Sequence, residues 1–317
     1  MIDVPRFGLG CAPLGNLFEE LSEEQAHALL TAAWDAGVRY FDTAPHYGLG
    51  LSEQRLGRFL AGKPRDEYVV STKVGRLLRE NPSWDGTALD ATGFVVPAGL
   101  RRELDYSPEG VRASVEDSLT RLGLDRIDIL FVHDPDLSGD PGATESALTA
   151  LADLRAEGMV AAIGTGTLGI DALLTTARSG LADVLMVANR YTLLDQSVAP
   201  DVLSACDDHD VRIIAAAVFN SGLLATSPTR DAKYNYADVP DDVLDRAIQL
   251  NTICTTHDVP LPAAALRYPL EDPRVVAVVA GANTPAQLGQ NLTHLDTEIP
   301  PALWQDLADR RLAPRPS

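Results

Sequence analysis

Short apolar runs alternate with amphipathic segments along most of the chain. The runs are rich in Val, Ile, Leu and Ala, and most of them are continuously apolar, which is typical of parallel strands covered on both faces. They predict eight strands: Phe7–Cys11, Val38–Asp42, Tyr68–Lys73, Ile127–His133, Val160–Gly164, Asp183–Ala188, Val211–Val218 and Val275–Ala280.

The segments between the runs carry helix start signals. Ser22 precedes two glutamates, and Ser107 precedes Pro108; serine is favoured at the N-cap and proline at the first helical position. Eight strands, each followed by a helix, favour an α/β fold of the (β/α)8 TIM-barrel type, with an open doubly wound sheet as the alternative. Further helices are predicted over Ser52–Leu60, Glu145–Glu157, Asp171–Ser179, Asp241–His257 and Pro285–Leu295.

Two connections are much longer than the rest, at about 74–106 after strand 3 and about 219–240 after strand 7. Connections in such units usually have about 2–6 residues, and longer ones commonly carry function. Both would overhang the C-terminal face of a barrel, where active sites lie. The alternative is a pair of solvent-facing insertions. The two loops contain the aromatic residues Trp84, Phe94, Tyr234 and Tyr236.

Composition narrows the class of protein. The chain has 317 residues, of which 45% are hydrophobic and 22% charged, and this favours one globular domain over residues 1–317, with two ordinary domains as the alternative. The formal net charge of −19 repels phosphate backbones and anionic lipid, so we expect neither a nucleic-acid nor a membrane partner.

The compartment is inferred from the same kind of evidence. No apolar run approaches the roughly 20 residues of a membrane helix, and the N-terminus lacks a signal-peptide pattern. Three scattered cysteines form neither a disulfide framework nor a metal-binding pair. We therefore expect a cytoplasmic protein without a metal site, and the oligomeric state stays open.

A glycine-rich turn at 164–169 matches the G-x-G-x-x-G pattern of dinucleotide-binding folds. It follows the fifth predicted strand, and no acidic residue ends a following strand about 20 residues further on, so a tight strand-to-helix turn is the favoured interpretation. The patterns of serine hydrolases, zinc proteases and P-loop NTPases do not occur in the sequence.

Four polar residues lie at or just beyond the ends of three predicted strands. Asp42 ends the second strand, and Tyr47 follows it in the segment FDTAPHYG. Lys73 ends the third strand and His133 the fourth. Singly, such residues have structural explanations, because Asp caps turns, Lys reaches solvent and His is satisfied in cores. In a barrel, however, all four would converge on one mouth.

These residue types form a proton-transfer set. A tyrosine has a reference pKa of about 10 and needs help to act near neutrality. The ammonium of Lys73 favours the phenolate, and Asp42 supplies the carboxylate that makes burial of the ammonium tolerable. A neutral His133 can orient a substrate oxygen. The four residues together therefore favour general acid–base catalysis. A Schiff-base lyase that uses Lys73 is a minor alternative.

At these residues the sequence resembles the aldo-keto reductase superfamily, and the match extends over nearly the whole chain. The matching segments are FDTAPHYGLGLSEQRLG at 41–57, STK at 71–73, RLGLDRIDILFVHDPD at 121–136 and VVAGANTPAQLGQN at 278–291. More narrowly, KVGRLLR, LDYSPEGVRASVEDSL, NRYTLLDQ, FNSGLLA and VPLPAAALRYPL resemble the branch that contains D-threo-aldose 1-dehydrogenase, L-fucose dehydrogenase and pyridoxal 4-dehydrogenase.

This resemblance implies a barrel that binds NAD(P) in extended form without a Rossmann domain. It also implies a catalytic tetrad of Asp42, Tyr47, Lys73 and His133, with Tyr47 as the proton donor or acceptor. The implied cofactor-binding residues are Gly166, Thr167, Asn189, Val218, Phe219, Asn220, Ser221, Leu223, Gly281, Asn283, Thr284, Gln287, Gln290 and Asn291.

The sequence departs from the family pattern near the nicotinamide. Gly166 and Thr167 stand where the family commonly has Ser-Asn against the carboxamide. The family's Gln on strand 6 corresponds to Ala188, and the adjacent Asn189 is the candidate substitute. Residues 218–223 are expected to wrap the pyrophosphate, with backbone N–H groups contributing.

The preferred cofactor is expected to be NAD rather than NADP. Relatives that use NADPH hold its 2′-phosphate with a Lys and an Arg, and these positions are Gly281 and Gln287 here. A phosphate without a cationic partner binds poorly. The alternative is that another cation compensates, with Arg190 and Arg230 as candidates.

The expected reaction is oxidation of a cyclic aldose at C1 to its lactone. Tyr47 would take the hydroxyl proton, His133 would bind the reacting oxygen, and His46 and Trp84 are further candidate substrate contacts. Alternatives are oxidation of pyridoxal to 4-pyridoxolactone with NAD, reduction of aldehydes with NADPH, and a non-catalytic cofactor-sensing subunit.

Overall fold

Eight parallel strands close into a barrel in the computed structural model, which describes residues 3–198, 200–235 and 237–315. Each strand pairs with its neighbours along the chain, and the last pairs with the first. The closed sheet confirms the TIM-barrel prediction and makes the open-sheet alternative wrong. The strands are β1 (Phe7–Gly10), β2 (Tyr40–Asp42), β3 (Val69–Val74), β4 (Ile127–His133), β5 (Val160–Thr167), β6 (Val184–Ala188), β7 (Arg212–Ala216) and β8 (Val275–Gly281).

Helices surround the barrel, and most of them lie where the sequence predicted them. They are α1 (Glu23–Asp35), α2 (Leu51–Leu60), α3 (Pro108–Leu122), α4 (Ala143–Ala156), α5 (Ile170–Arg178), α6 (Asp201–His209), α7 (Asp241–Thr256), α8 (Leu261–Leu270), α9 (Pro285–Leu295) and α10 (Pro301–Asp309). Ser22 and Ser107 cap α1 and α3 through their side chains, as expected.

Three helices, α6, α8 and α10, were not predicted from the sequence. Helix α8 is buried on most of its surface, so it lacks the polar face that produces a helical period. Helices α6 and α10 have nine residues each, and their apolar and polar faces are less sharply separated than those of α5, which has the same length and was predicted. No helix within the described ranges is both long and apolar enough to span a bilayer.

The strands alternate between an interior face and a face that packs on the helices. Tyr40, Ile129, Phe131 and Met186 belong to one buried cluster inside the barrel. Because strand side chains alternate with a period of two, the residues two positions after Tyr40, Phe131 and Met186 point to the C-terminal mouth. The interior face therefore determines which residues reach the mouth.

The connection after β3 is an ordered hairpin rather than an irregular loop. Arg76–Glu80 pairs antiparallel with Leu100–Leu104. The tip of the loop folds back on the β1–α1 connection, since Phe18 N donates to Gly93 O at 2.8 Å and Val95 N donates to Asn16 O at 2.9 Å. Among its described residues, the connection after β7 contains a small strand pair at 233–234 and 237–238. The expectation of one domain over residues 1–317 stays a prediction.

The packing between β5 and β6 gives a test of this barrel. At Gly164 a Cβ would overlap the carbonyl oxygen of Val184, so Gly164→Ala must push the strands apart, and we expect a loss of about 1–3 kcal/mol or more in the free energy of unfolding. At Gly289, on α9, a Cβ meets nothing within 4 Å, so Gly289→Ala should gain about 0.5–1 kcal/mol. Urea denaturation measures both, and equal stabilities would contradict the packing described.

Candidate active site

Three charged or titratable side chains rise from neighbouring strands to the barrel mouth. Asp42 lies two residues after Tyr40 on β2, and His133 lies two residues after Phe131 on β4. Lys73 projects from β3 between them, because β3 pairs with both strands. Asp42 and Lys73 are each 3% exposed. These residues are separated by 31 to 91 positions in the sequence. They meet because β2, β3 and β4 are neighbours in the barrel.

Tyr47 reaches the same place from the turn that follows β2. This turn packs directly against the chain after β1, where a Cβ on Gly15 would lie 2.5 Å from the carbonyl carbon of Tyr47. Gly48 has a φ of +62° and approaches the backbone of Gly15 equally closely. Both glycines are needed for this contact, because any larger residue would displace the turn that carries Tyr47.

The Lys73 ammonium is the hub of the cluster. Its Nζ donates to Asp42 Oδ2 at 2.8 Å and Oδ1 at 3.0 Å, to the Thr43 carbonyl oxygen at 2.9 Å and to Tyr47 Oη at 3.1 Å. Asp42 Oδ1 also accepts from Ser71 Oγ at 2.7 Å. All donors of the ammonium are therefore used, which is the condition under which a buried charge is tolerated.

This environment keeps Lys73 charged. Burial acts to lower the pKa of Lys73, but the charges of Asp42 and Tyr47 and their hydrogen bonds outweigh burial and raise it above its usual range. A lysine in this state donates hydrogen bonds and stabilises negative charge, and it has no lone pair for attack on a carbonyl. The cluster thus suits acid–base chemistry at Tyr47 better than Schiff-base formation at Lys73.

Both histidines at the mouth are held in the neutral form. Burial, and then the charge of Arg76, lower the pKa of His133 well below its usual range. Burial, Arg76 and Arg102 lower the pKa of His46 to about 2. The His133 and Tyr47 rings meet edge to face with centroids 6.2 Å apart. Burial and the nearby positive charges therefore support the neutral imidazole that we expected at His133.

The other half of the mouth carries small side chains. Gly166 on β5, Ala188 on β6, Ala216 on β7 and Gly281 on β8 occupy the ends that correspond to Asp42 and His133 across the barrel. A Cβ on Gly166 would touch the Met186 and Phe131 Cβ atoms at 3.4 Å. The mouth is thus polar on β2, β3 and β4 and open on β5 to β8.

Unpaired amides border this open half. Asn189, directly after β6, has a φ of +58° and is 1% exposed, and neither its Oδ1 nor its Nδ2 has a partner. Asn220 donates weakly from Nδ2 to the Asn189 carbonyl oxygen at 3.4 Å, and its buried Oδ1 accepts nothing. Buried amides are usually hydrogen-bonded, so these atoms fit a polar ligand such as a carboxamide.

The remaining predicted cofactor residues lie around the same rim. The Thr167 side chain is engaged within the protein, since its hydroxyl donates to Asp136 Oδ1 at 2.6 Å and accepts from Gly169 N at 3.0 Å. Those after β7 are Val218, Phe219, Asn220, Ser221 and Leu223, in a turn with positive φ at Ala217, Asn220 and Ser221. Gly281 ends β8, and Asn283, Thr284, Gln287, Gln290 and Asn291 follow it in the turn after β8 and in helix α9.

Trp84 lies beside the mouth rather than in it. It lines a groove of about 570 Å³ with Gly48, Leu49 and Leu100, and the tetrad residues are not among the described residues that line this groove. Its role as a substrate contact stays a prediction. His46 does lie at the mouth, where its ring centroid is 5.6 Å from that of His133. Tyr236 lies outside the described residues.

Comparison with known proteins identifies the family. The model of the aldo/keto reductase family matches residues 6–309. The chain is 54% identical over 315 residues to D-threo-aldose 1-dehydrogenase from Pseudomonas sp., with 99% of this chain and 96% of the relative covered. It is 37% identical to pyridoxal 4-dehydrogenase from Microbacterium luteolum, with 98% and 95% covered.

The chain belongs to the aldo/keto reductase family. A holo aldo-keto reductase from Bacillus halodurans has the same fold, with a TM-score of 0.76 and 24% identity, covering 97% of this chain and 92% of that one. As an aldo/keto reductase the protein is an oxidoreductase that acts on CH–OH groups and uses a nicotinamide cofactor. In the ranges described, no group of three or more His, Cys, Asp or Glu has the placement of a metal site.

Sequence reasoning missed part of this aldo/keto reductase's mouth. Arg76 pairs with Asp134, and Arg102 donates to the His46 carbonyl oxygen at 2.7 Å while binding Asp90 through two bonds of 2.8 Å. Phe94 packs edge to face on His46 at 5.2 Å. The available signals were the arginine in KVGRLLR and the aspartate after the histidine in HDPD.

The neutral state of His46 predicts a pH dependence of stability. In the unfolded chain the pKa of His46 returns to its ordinary value of 6.5, against about 2 in the folded protein. Between these values the unfolded state binds the additional proton, so stability falls as the pH falls below about 6.5. His46→Gln should reduce this slope by up to about 1.4 kcal/mol per pH unit, measured by urea denaturation from pH 5 to pH 8.

The control for this variant is His209→Gln, because His209 lies exposed at the end of α6. We expect this control to keep the pH slope of the wild-type protein. If His46→Gln and His209→Gln have the same slope, the assignment of a buried neutral histidine to position 46 is wrong.

Proposed function

We propose that this aldo/keto reductase is an NAD-dependent aldose 1-dehydrogenase that oxidises a cyclic aldose at C1 to its lactone. The observation that carries the proposal is the contact of Lys73 Nζ with Tyr47 Oη at 3.1 Å, beside the neutral His133. The identity of 54% with D-threo-aldose 1-dehydrogenase supports the substrate class. L-Fucose and related sugars are the substrates we expect.

In this mechanism the Tyr47 phenolate is the general base when the sugar is oxidised. In the reverse reaction the Tyr47 phenol is the general acid. The reaction removes a proton from the C1 hydroxyl and a hydride from C1, which leaves the carbonyl of the lactone. A bound nicotinamide supplies the acceptor for that hydride. Lys73 stabilises the Tyr47 phenolate through the 3.1 Å contact, and Asp42 keeps the ammonium charged and oriented.

His133 positions the reacting oxygen in this proposal. Because its imidazole is neutral, it can hydrogen-bond the C1 oxygen without competing with Tyr47 for the proton. His46, which is also neutral, lies 5.6 Å from it between ring centroids and would contact the neighbouring hydroxyl groups. Trp84 is proposed as a more distant contact for the apolar face of the sugar.

The nicotinamide is proposed to lie on the open half of the mouth. Small residues on β5 to β8 leave space for a flat ring, and the Asn189 amide, with two unpaired atoms, suits the carboxamide. Gly166 and Thr167 would contribute through the backbone, since the Thr167 hydroxyl is used by Asp136 and Gly169. The turn at 218–223 suits the pyrophosphate, because positive φ angles orient successive N–H groups toward anions.

The preference for NAD is supported by the surroundings of the start of α9. Gln287 caps the Asn283 N–H at 2.7 Å, and the Asn283 amide donates to the carboxylate of Glu19. Both cations named as compensating candidates are engaged elsewhere, Arg190 with Asp195 and Arg230 with Asp241. A 2′-phosphate at Gly281 and Gln287 would thus meet an acidic side chain and no free guanidinium from either arginine.

A second candidate function is oxidation of pyridoxal to 4-pyridoxolactone, again with NAD. It is favoured by the identity of 37% with pyridoxal 4-dehydrogenase over nearly the full length. The same tetrad would act on the cyclic hemiacetal of pyridoxal. The free cysteines Cys11, Cys206 and Cys254 favour a reducing compartment for either reaction, and we propose the cytoplasm.

Replacing the proposed base gives the direct test of mechanism. Tyr47→Phe should lower kcat by about 100- to 10,000-fold, because the proton acceptor is lost while the ring remains. Initial rates of NADH formation measure the effect. Tyr68→Phe is the matched control, since Tyr68 precedes β3 at the opposite end of the barrel and should keep wild-type turnover. Full turnover in Tyr47→Phe would refute the role of Tyr47.

The function itself is tested with a panel of substrates. We expect L-fucose, D-arabinose or L-galactose to be oxidised with NAD, and much more slowly with NADP. Turnover of pyridoxal alone would replace the first proposal by the second. Silence on all four substrates would reject both, and aldehyde reduction with NADPH and then a cofactor-sensing role would be tested next.

A further inference from the structure

Arg76 lies at the barrel mouth, but the proposed mechanism gives it no role. It begins the hairpin directly after β3, is 9% exposed, and points its guanidinium at the mouth. One terminal nitrogen binds the Asp134 carboxylate, and the other lies 3.4 Å from His46 Nδ1. We propose that Arg76, through Asp134 and His46, is a positioning residue that keeps both histidines at the mouth uncharged.

Asp134 lies between the arginine and His133. Its Oδ2 binds Arg76 and is 3.5 Å from His133 Nε2, too far for a strong hydrogen bond. The main chain of Asp134 is held there without Arg76: Asp134 has a φ of +45°, and Tyr106 Oη donates to the carbonyl oxygens of His133 at 2.6 Å and of Asp134 at 3.0 Å. The Asp134 side chain therefore starts from a position beside His133 that does not depend on Arg76.

An unpaired carboxylate at this distance would attract a proton to His133. Opposite charges within about 4–6 Å favour the charged form of a histidine, so Asp134 alone would form an imidazolium–carboxylate pair. Arg76 prevents this, because its guanidinium satisfies the carboxylate and repels a proton on either ring. After burial, Arg76 is the largest influence that lowers the pKa of each histidine.

The other charged groups do not replace it. The titratable groups that face the two rings come from the turn after β2, from β3, from both strands of the hairpin and from the end of β4: Tyr47, Lys73, Arg76, Arg102 and Asp134. Lys73 is bound to Asp42 and Arg102 to Asp90. Arg76 is the group in this set that contacts both Asp134 and His46.

The neutral state of His133 matters because the reaction removes both a proton and a hydride from the substrate. If His133 were charged, its imidazolium would stabilise an alkoxide at the C1 oxygen and so oppose departure of the hydride, and its own acidic proton would compete with that of Tyr47. With His133 neutral, Tyr47 is the group at the mouth that exchanges the proton. A guanidinium suits the task better than an ammonium, because its planar fork reaches two partners at once.

The test uses the full chain with saturating NAD and compares Arg76→Gln, Arg76→Lys, Asp134→Asn and the double variant Arg76→Gln/Asp134→Asn. In Arg76→Gln we expect a histidine ring that titrates between pH 6 and pH 8, seen by NMR of the six histidines. The ratio of the turnover rate at pH 6 to that at pH 8 should be about tenfold lower in this variant than in the wild type. Arg76→Lys should remain closer to wild type.

The double variant and Asp134→Asn distinguish this role from a structural one. Without the carboxylate nothing holds a proton on His133, so both should lack the new titration and the new acid limb in kcat/KM. A merely structural ion pair would make Arg76→Gln and Asp134→Asn equally harmful, with pH profiles parallel to that of the wild type. That result, or neutral rings down to pH 5 in Arg76→Gln, would overturn the inference.

The inference rests on the proposed function only for its rate measurement. The NMR titration needs no turnover, so a failure of the aldose reaction and a failure of the Arg76 role are separable. If Arg76→Gln does not fold, Asp134→Asn still decides: a new acid limb or a newly titrating ring in that variant contradicts the role assigned to Arg76.

Discussion

The buried ion pair of Lys73 and Asp42 is the interaction on which the mouth of this barrel depends. An ammonium that is 3% exposed persists only if all its donors are used, and here they are shared among a carboxylate, a backbone carbonyl oxygen and the Tyr47 hydroxyl. The hydrogen bonds that satisfy the Lys73 ammonium also direct it toward the Tyr47 hydroxyl. The ammonium that contacts Tyr47 is thus held in place by the requirements of its own burial.

A second constraint is the division of the mouth into two unlike halves. The strands β2 to β4 present charged and titratable groups, and β5 to β8 present glycine and alanine at the corresponding positions. The unpaired amide of Asn189 lies on the open side. The barrel thus separates the Asp42, Lys73 and His133 side chains from the space that the proposal assigns to the nicotinamide.

Much of this arrangement was predictable from residue patterns. All eight strands were predicted within a few residues, because parallel strands covered on both faces are continuously apolar. Asp42, Lys73 and His133 were predictable because polar residues that end such strands are conspicuous. The hairpin after β3 was not predicted, since Arg76–Glu80 and Leu100–Leu104 mix leucine with arginine and glutamate without an apolar run, and they lie about twenty residues apart. Helix α8 was missed because burial removed its polar face.

The sequence by itself determined the order of strands and helices, the family, and the residue types at the strand ends, because these depend on local periodicity and on motifs that are contiguous in the chain. Tertiary structure alone decided which side chains meet. Arg76 and Asp134 are 58 positions apart, and only the pairing of β3 with β4, together with the turn after β2, places one guanidinium between Asp134 and His46. A charge acts through distances in space, and a linear pattern does not contain those distances.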